Sequence, residues 1–129
     1  MARANTKAWK RIPLEERKAI EAHEKRLREL PCAASRTFYQ ITLHHCHGGS
    51  LKDIGYHVGG GQKASDWLQI PLTSDLHVGD GGIDGAGGIG VPTWEAEHGA
   101  QVDMLKWICR ELGVNVFEKA GISGIDIYN

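Results

Sequence analysis

The chain has 129 residues, a mass of 14.1 kDa, an apolar share of 41% and a formal net charge of -1. That suits one small domain with one core and excludes wholesale disorder. No apolar run approaches the roughly 20 residues of a membrane-spanning helix, and three scattered cysteines, Cys32, Cys46 and Cys109, argue against a disulfide framework and for a reducing, cytoplasmic setting.

The charge is unevenly spread. Residues 1–36 hold ten Lys/Arg against five Glu, and the remainder holds five against eleven acids. A basic arm on an acidic body fits either a polyanion-binding element or a solvated helix with i,i+4 ion pairs. The opening "MARANTKAWKRIPLEERK" carries no apolar segment of the secretory kind, and residues 1–11 are expected to be polar and mobile. Trp9, among Lys7, Lys10 and Arg11, suits either base stacking or loose docking.

From Pro13 to Leu30 the pattern predicts a helix, with Pro13 in its first turn, Ile20, Leu27 and Leu30 on one face and Pro31 as its stop. "RTFYQITLHH" then has strand composition, from Phe38 through Leu43. A glycine-rich loop is expected over 48–65, then a second strand in "DWLQIPL" with Pro71 at its end. "TSDLHVGD" predicts one helical turn stopped by Gly79. Thirteen of the 17 glycines fall between residues 48 and 90, which points to loops that are mobile or arranged around something. A last helix is expected from an N-cap at Thr93, with Val102, Leu105, Ile108 and Leu112 as its stripe, Gly99 as a kink or division and Gly113 as its stop. The tail from Val114 offers a short strand. Trp67 and Trp107 read as core.

The chemistry concentrates at "ITLHHCHGG". His44 and His45 end the first strand, Asp66 opens the second, and His77 lies on the short helix. Neighbouring strand residues face opposite sides, so both imidazoles serve one site only if the strand twists or ends there, which Gly48-Gly49 permits. One imidazole can then ligate a metal while the other takes a proton from water, because neutral histidine dominates near pH 7. Cys46, His47 and His57 suggest a separate site only weakly, since loop histidines beside a cysteine more often hold no metal. "GGGQKAS" lacks the spacing of a phosphate-binding P-loop, although Lys63 can contact DNA.

"LHH", "QIPL" and the downstream His77 resemble the core of an HNH, or ββα-metal, nuclease. "LPC", "ITLHH", "LQIPL" and His77 are similar, more closely, to the phage recombination-enhancement (Ref) RecA-dependent nucleases, over residues 30 to 78. The resemblance implies an α+β fold: a small ββα-metal core with flanking N-terminal and C-terminal helices and glycine-rich loops. The basic arm and helix would span 1–36 and the nuclease core with its last helix 37–129, in a single compact domain. It implies a DNA endonuclease using one divalent metal (Mg²⁺, Mn²⁺, Ni²⁺ or Zn²⁺) in the bacterial cytoplasm, with a RecA filament as a partner.

By the same resemblance His44 and His77 would be metal ligands and His45 the general base. Asp66 would orient His45, and Asp80 stands in for a further ligand. Lys7, Lys10, Arg11, Arg17, Lys18 and Lys63 would contact DNA phosphates. The family's structural zinc would need cysteines or histidine where this chain has Ser35, Thr73 and Leu76 beside Cys32, so no structural zinc is expected. Asp66 in place of the family's usual Asn keeps open a non-catalytic DNA-binding module, and the charged helix keeps open a phage structural or interaction protein.

Overall fold

The computed structural model describes residues 7–58, 64–85 and 89–129. Those residues form a mixed α/β structure of seven helices and one two-stranded antiparallel sheet. In chain order they are α1 (Lys7–Arg11), α2 (Leu14–Arg28), β1 (Ile41–His45), α3 (Ser50–Asp53), β2 (Gln69–Thr73), α4 (Ser74–His77), α5 (Val91–His98), α6 (Gln101–Leu112) and α7 (Val116–Lys119). No described helix is long and apolar enough to cross a membrane.

Apolar periodicity places α2. Pro13 precedes it with φ -54, and Ile20, His23, Glu24 and Leu27 form its buried face. The arm ahead of it is not loose over its described part. Residues 7–11 form a helix, and Trp9 is buried with Ile20 and Trp67, which removes it as an exposed stacking ring. Lys7, Lys10, Arg11 and Lys18 are exposed, Arg17 is half-buried, and Lys63 lies outside the described residues.

The first strand starts later than its composition suggests. Gln40 has φ +45, a left-handed conformation that cannot continue a strand, so Phe38 and Tyr39 stand outside the sheet and exposed. The second strand holds Pro71 in its middle, opposite Leu43, rather than at its end. The position tolerates proline because the Pro71 carbonyl accepts from Ala33 N–H at 2.8 Å, away from β1. The proline nitrogen faces the same outer side, so no ladder bond is lost.

All five β2 residues are buried. Ile70 and Leu72 join Leu105 and Ile108 of α6 in the main core, while Gln69 reaches α2, donating to Glu24 at 2.7 Å. Truncating a fully buried leucine such as Leu72 removes about 2–5 kcal/mol. Cys32 and Leu76 belong to this same apolar core, and Ser35 N–H donates to Cys32 Sγ.

The C-terminal region is two helices. Gly99 at φ +113 separates α5 from α6, and Gly113 in the left-handed conformation ends α6. The first of them starts at Val91 rather than after Thr93, because Pro92 suits a first-turn position. The tail forms α7 instead of a strand, capped by Asn115, whose side chain accepts from Phe117 and Glu118 N–H. Trp107 is half-buried under the Arg36 guanidinium, 3.8 Å from its ring centre.

His23 makes stability pH-dependent. It is 4% exposed, packs on Trp67 at 5.1 Å, and its Nε2 has no hydrogen-bond partner among the described residues. Burial first, then the nearby Arg26 charge, lowers its pKa from 6.5 to about 4, against a smaller upward pull from Glu24. Between those values the unfolded chain binds the extra proton, so stability falls as pH drops from 6.5 through 4. Its share is at most about 3 kcal/mol. Urea titrations of wild type and His23→Leu across that range should show the wild type losing stability more steeply; parallel curves would refute this role.

A candidate metal centre at the end of the hairpin

The register sets the two adjacent histidines on opposite faces. His44 pairs across the sheet with Ile70, and His45 with Gln69. Thr42 and His44 therefore share one face, and the site assembles there.

Four side chains meet on it. His44 Nδ1 lies 2.8 Å from Asp84 Oδ2, His77 Nε2 lies 3.0 Å from the same oxygen, and His47 Nε2 lies 3.2 Å from Oδ1. His44, His47 and Asp84 present ligand atoms all within 4.8 Å of one another, a group that could hold a metal ion. His44 is fully buried, whereas Asp84 is about a third exposed at 35%, so the centre opens to solvent on the carboxylate side.

Local backbone explains the convergence. After α4 the chain folds back: Ile83 N–H donates to Leu76 O at 2.9 Å and Asp84 N–H to His77 O at 2.7 Å. The return is tight enough that a Cβ on Gly82 would lie 2.8 Å from the His77 carbonyl carbon, so a side chain there has no room. The glycine run thus seats a carboxylate over the histidine of α4.

The hydrogen-bond network fixes the histidine tautomers. Gln101 Nε2 donates to His47 O at 2.9 Å and to Glu95 Oε2 at 3.4 Å. Its Oε1 is therefore the end that accepts from His47 N–H at 3.2 Å and faces His44 Nε2 at 3.0 Å. His44 carries its proton on Nε2, and a neutral ring then points a bare Nδ1 at Asp84. His77 repeats the pattern. Thr42 Oγ1 donates its one proton to Leu72 O, so it accepts from His77 Nδ1–H at 2.8 Å, which leaves His77 Nε2 bare toward Asp84.

Two lone pairs aimed at one carboxylate oxygen repel unless positive charge lies between them. That charge is either a proton on each ring or a cation. Burial alone would raise the Asp84 pKa, but hydrogen bonds donated by His44 and His77 and the charge of the His44 ring hold it well below the usual carboxylate range when the rings, rather than a cation, carry the positive charge. An ionised carboxylate and imidazoles oriented through their second nitrogens are a donor set that could hold a metal ion.

A glutamate strap holds this arrangement. Glu95 on α5 accepts from Ser50 N–H at 2.8 Å, Ser50 Oγ at 2.6 Å and Gln101 N–H at 2.7 Å. It thereby ties the starts of α3 and α6 to the loop that carries His47.

The other face holds a separate pair. His45 Nε2 donates to Asp66 Oδ1 at 2.9 Å, with Asp66 buried and His45 partly exposed. Among the described residues Asp66 is the hydrogen-bond partner of the His45 side chain. Among the described residues no hydrogen bond reaches the remaining ring nitrogen, Nδ1.

Of the residues singled out from sequence, His44 and His77 come together, and His45 meets Asp66. Asp80 lies exposed in the turn after α4, and the carboxylate that faces the histidines is Asp84. His47, set aside as a loop histidine, belongs with His44 and Asp84. Cys46 does not join it: the thiol is fully buried in the core, and burial pushes its pKa well up. Gln101, Thr42 and Glu95 were not singled out as site residues from sequence, although "TWEAEHGAQ" adds weaker support to the resemblance, because each acts through a partner distant in the chain.

Comparison with protein-family models, curated proteins and solved structures gives no match. The geometry of the site is therefore what bears on function.

If Gln101 fixes the His44 tautomer, Gln101→Leu should weaken binding of Mn²⁺, Co²⁺ or Zn²⁺ by about 10–100-fold in calorimetric titration, with the helical circular dichroism unchanged. Unaltered affinity in a folded variant would remove Gln101 from that role.

Proposed function

We propose that the chain is a divalent-metal-dependent endonuclease that hydrolyses DNA phosphodiester bonds on an HNH-like ββα-metal core. In this reading β1, β2 and α4 are the two strands and the helix of that core. The single observation that carries it is the convergence of the His44 and His77 ring nitrogens on the Asp84 carboxylate. The residues fit a metal, with His44, His77 and Asp84 as ligands and His47 as a fourth. A cation held there would supply positive charge to a phosphate oxygen and to the leaving 3′ oxygen as negative charge develops.

The protein's own groups do the rest. Asp66 holds His45 in one tautomer, with Nδ1 as the basic nitrogen that takes a proton from the attacking water. At the end of β1 a phosphate would reach the partly exposed His45 and the solvent-open Asp84 side of the centre, with the buried His44 behind it. Exposed Lys7, Lys10 and Arg11 on α1, with Lys18 and Arg17 on α2, supply phosphate contacts whose strength falls with salt. Resemblance to the Ref nucleases makes a RecA filament the partner to test and the bacterial cytoplasm the setting.

One observation favours a second reading. His44 and His45 lie on opposite faces of the sheet, as expected of a metal-stabilised DNA-binding module that does not cut. Supercoiled plasmid and a displaced-strand substrate, incubated with Mg²⁺, Mn²⁺, Ni²⁺ or Zn²⁺ with and without RecA, separate the two. Wild type should nick the DNA, Asp84→Ala should lose metal and cleavage together, and His45→Ala should keep metal but lose at least about 100-fold in rate. Salt-sensitive binding without cleavage in every metal would establish the binding module instead.

A further inference from the structure

Beside the candidate centre lies an open groove of about 660 Å³, which His47 lines together with Lys52, Tyr56, Val91 and Pro92. That volume lies within the range of small-ligand sites. His47 thus belongs both to the Asp84 cluster and to the groove wall. We propose that this groove binds one nucleoside monophosphate unit of a nucleic-acid strand, placing the nucleotide next to the phosphate presented to the centre. This inference rests on the phosphodiesterase reading and names where its substrate lies.

The groove is built before any ligand arrives. The Glu95 strap joins its two sides, since Glu95 follows Val91 and Pro92 on α5 and binds Ser50 just after the Gly48-Gly49 loop. Gly49 adopts φ +50 and packs so closely that a side chain there would collide with the Glu95 carboxylate and Val91. Tyr56 is also fixed, because its hydroxyl accepts from Ser65 N–H at 2.8 Å. A rigid wall lowers the ordering cost of binding a flexible strand.

The chemistry of the walls matches the three parts of a nucleotide. The half-buried Tyr56 ring with Val91 and Pro92 offers an apolar face for a base, and such stacking tolerates any base. Lys52 is an exposed cation for the phosphate, and Asp53 beside it can accept from a sugar hydroxyl. His57 at the rim adds a second hydrogen-bonding ring.

The test is an ¹⁵N-amide NMR titration of the full chain, free of added metal, with dTMP, UMP and thymidine. Saturable shifts centred on Gly48, Lys52, Tyr56, His57 and Val91 are expected for dTMP or UMP. Thymidine should bind more weakly, and Lys52→Ala, at an exposed position, should weaken dTMP by about fivefold while leaving thymidine unchanged. Shifts that fall elsewhere, or nucleotide affinity indifferent to both the phosphate and Lys52, would overturn the proposal. The two readings fail separately. A protein that cuts DNA while dTMP leaves the groove unperturbed refutes the groove alone, and a protein that never cuts but binds dTMP there refutes the nuclease alone.

Discussion

Two imidazole nitrogens, one from His44 and one from His77, converge on a single carboxylate oxygen of Asp84, and much of the surrounding structure serves to keep them there. Left neutral, His44 and His77 would each turn an N–H toward Asp84. They are prevented because Gln101 and Thr42 already occupy the opposite ring nitrogens as acceptors. The arrangement has a low energy only with positive charge among the three groups. A cation bound there would supply that charge.

The supporting contacts form one connected chain. Thr42 spends its proton on the Leu72 carbonyl of β2, so the hairpin ladder sets the His77 ring. Gln101 is anchored by the His47 carbonyl and by Glu95, so the start of α6 sets the His44 ring. Glu95 in turn binds Ser50, whose hydroxyl also accepts from Val102 N–H at 3.1 Å. Sheet, loop and four helices, α3 to α6, are thus coupled through buried or half-buried polar groups, each satisfied by another. Removing one leaves its neighbours unpaired, a larger loss than the hydrogen bond itself.

The sheet divides chemistry between its faces. Antiparallel pairing with period 2 sends His44 toward α6 and the Asp84 loop, and His45 toward Asp66 on the side that α2 covers. In the proposed nuclease, a base on one face and a ligand set on the other would act on one phosphate only at the strand's end, where the sheet stops and Gly48 and Gly49 turn the chain with positive φ. The groove beside His47 opens at that same turn.

Local rules made much of the frame legible. Periodicity and proline placed α2, the alternating "ITLHH" placed β1, and Gly79, Gly99 and Gly113 marked real stops, because caps, turns and apolar stripes depend on neighbours within a few residues. Pro71 and the tail departed from such rules for tertiary reasons: an outer hydrogen bond to Ala33 excused the proline, and Asn115 capped a helix where a strand was expected. His44, His45, Asp66 and His77 stood out through their order along the chain. Asp84 did not, because four carboxylates lie between residues 66 and 84 and only the fold-back after α4 selects among them. Gln101, 57 residues from His44, was beyond any local signal. The sequence by itself determined the elements and the kind of chemistry available. Which side chains share a face, which carboxylate meets the imidazoles and which ring nitrogen is left bare were decided by tertiary structure, since these depend on register and on contacts across the whole chain.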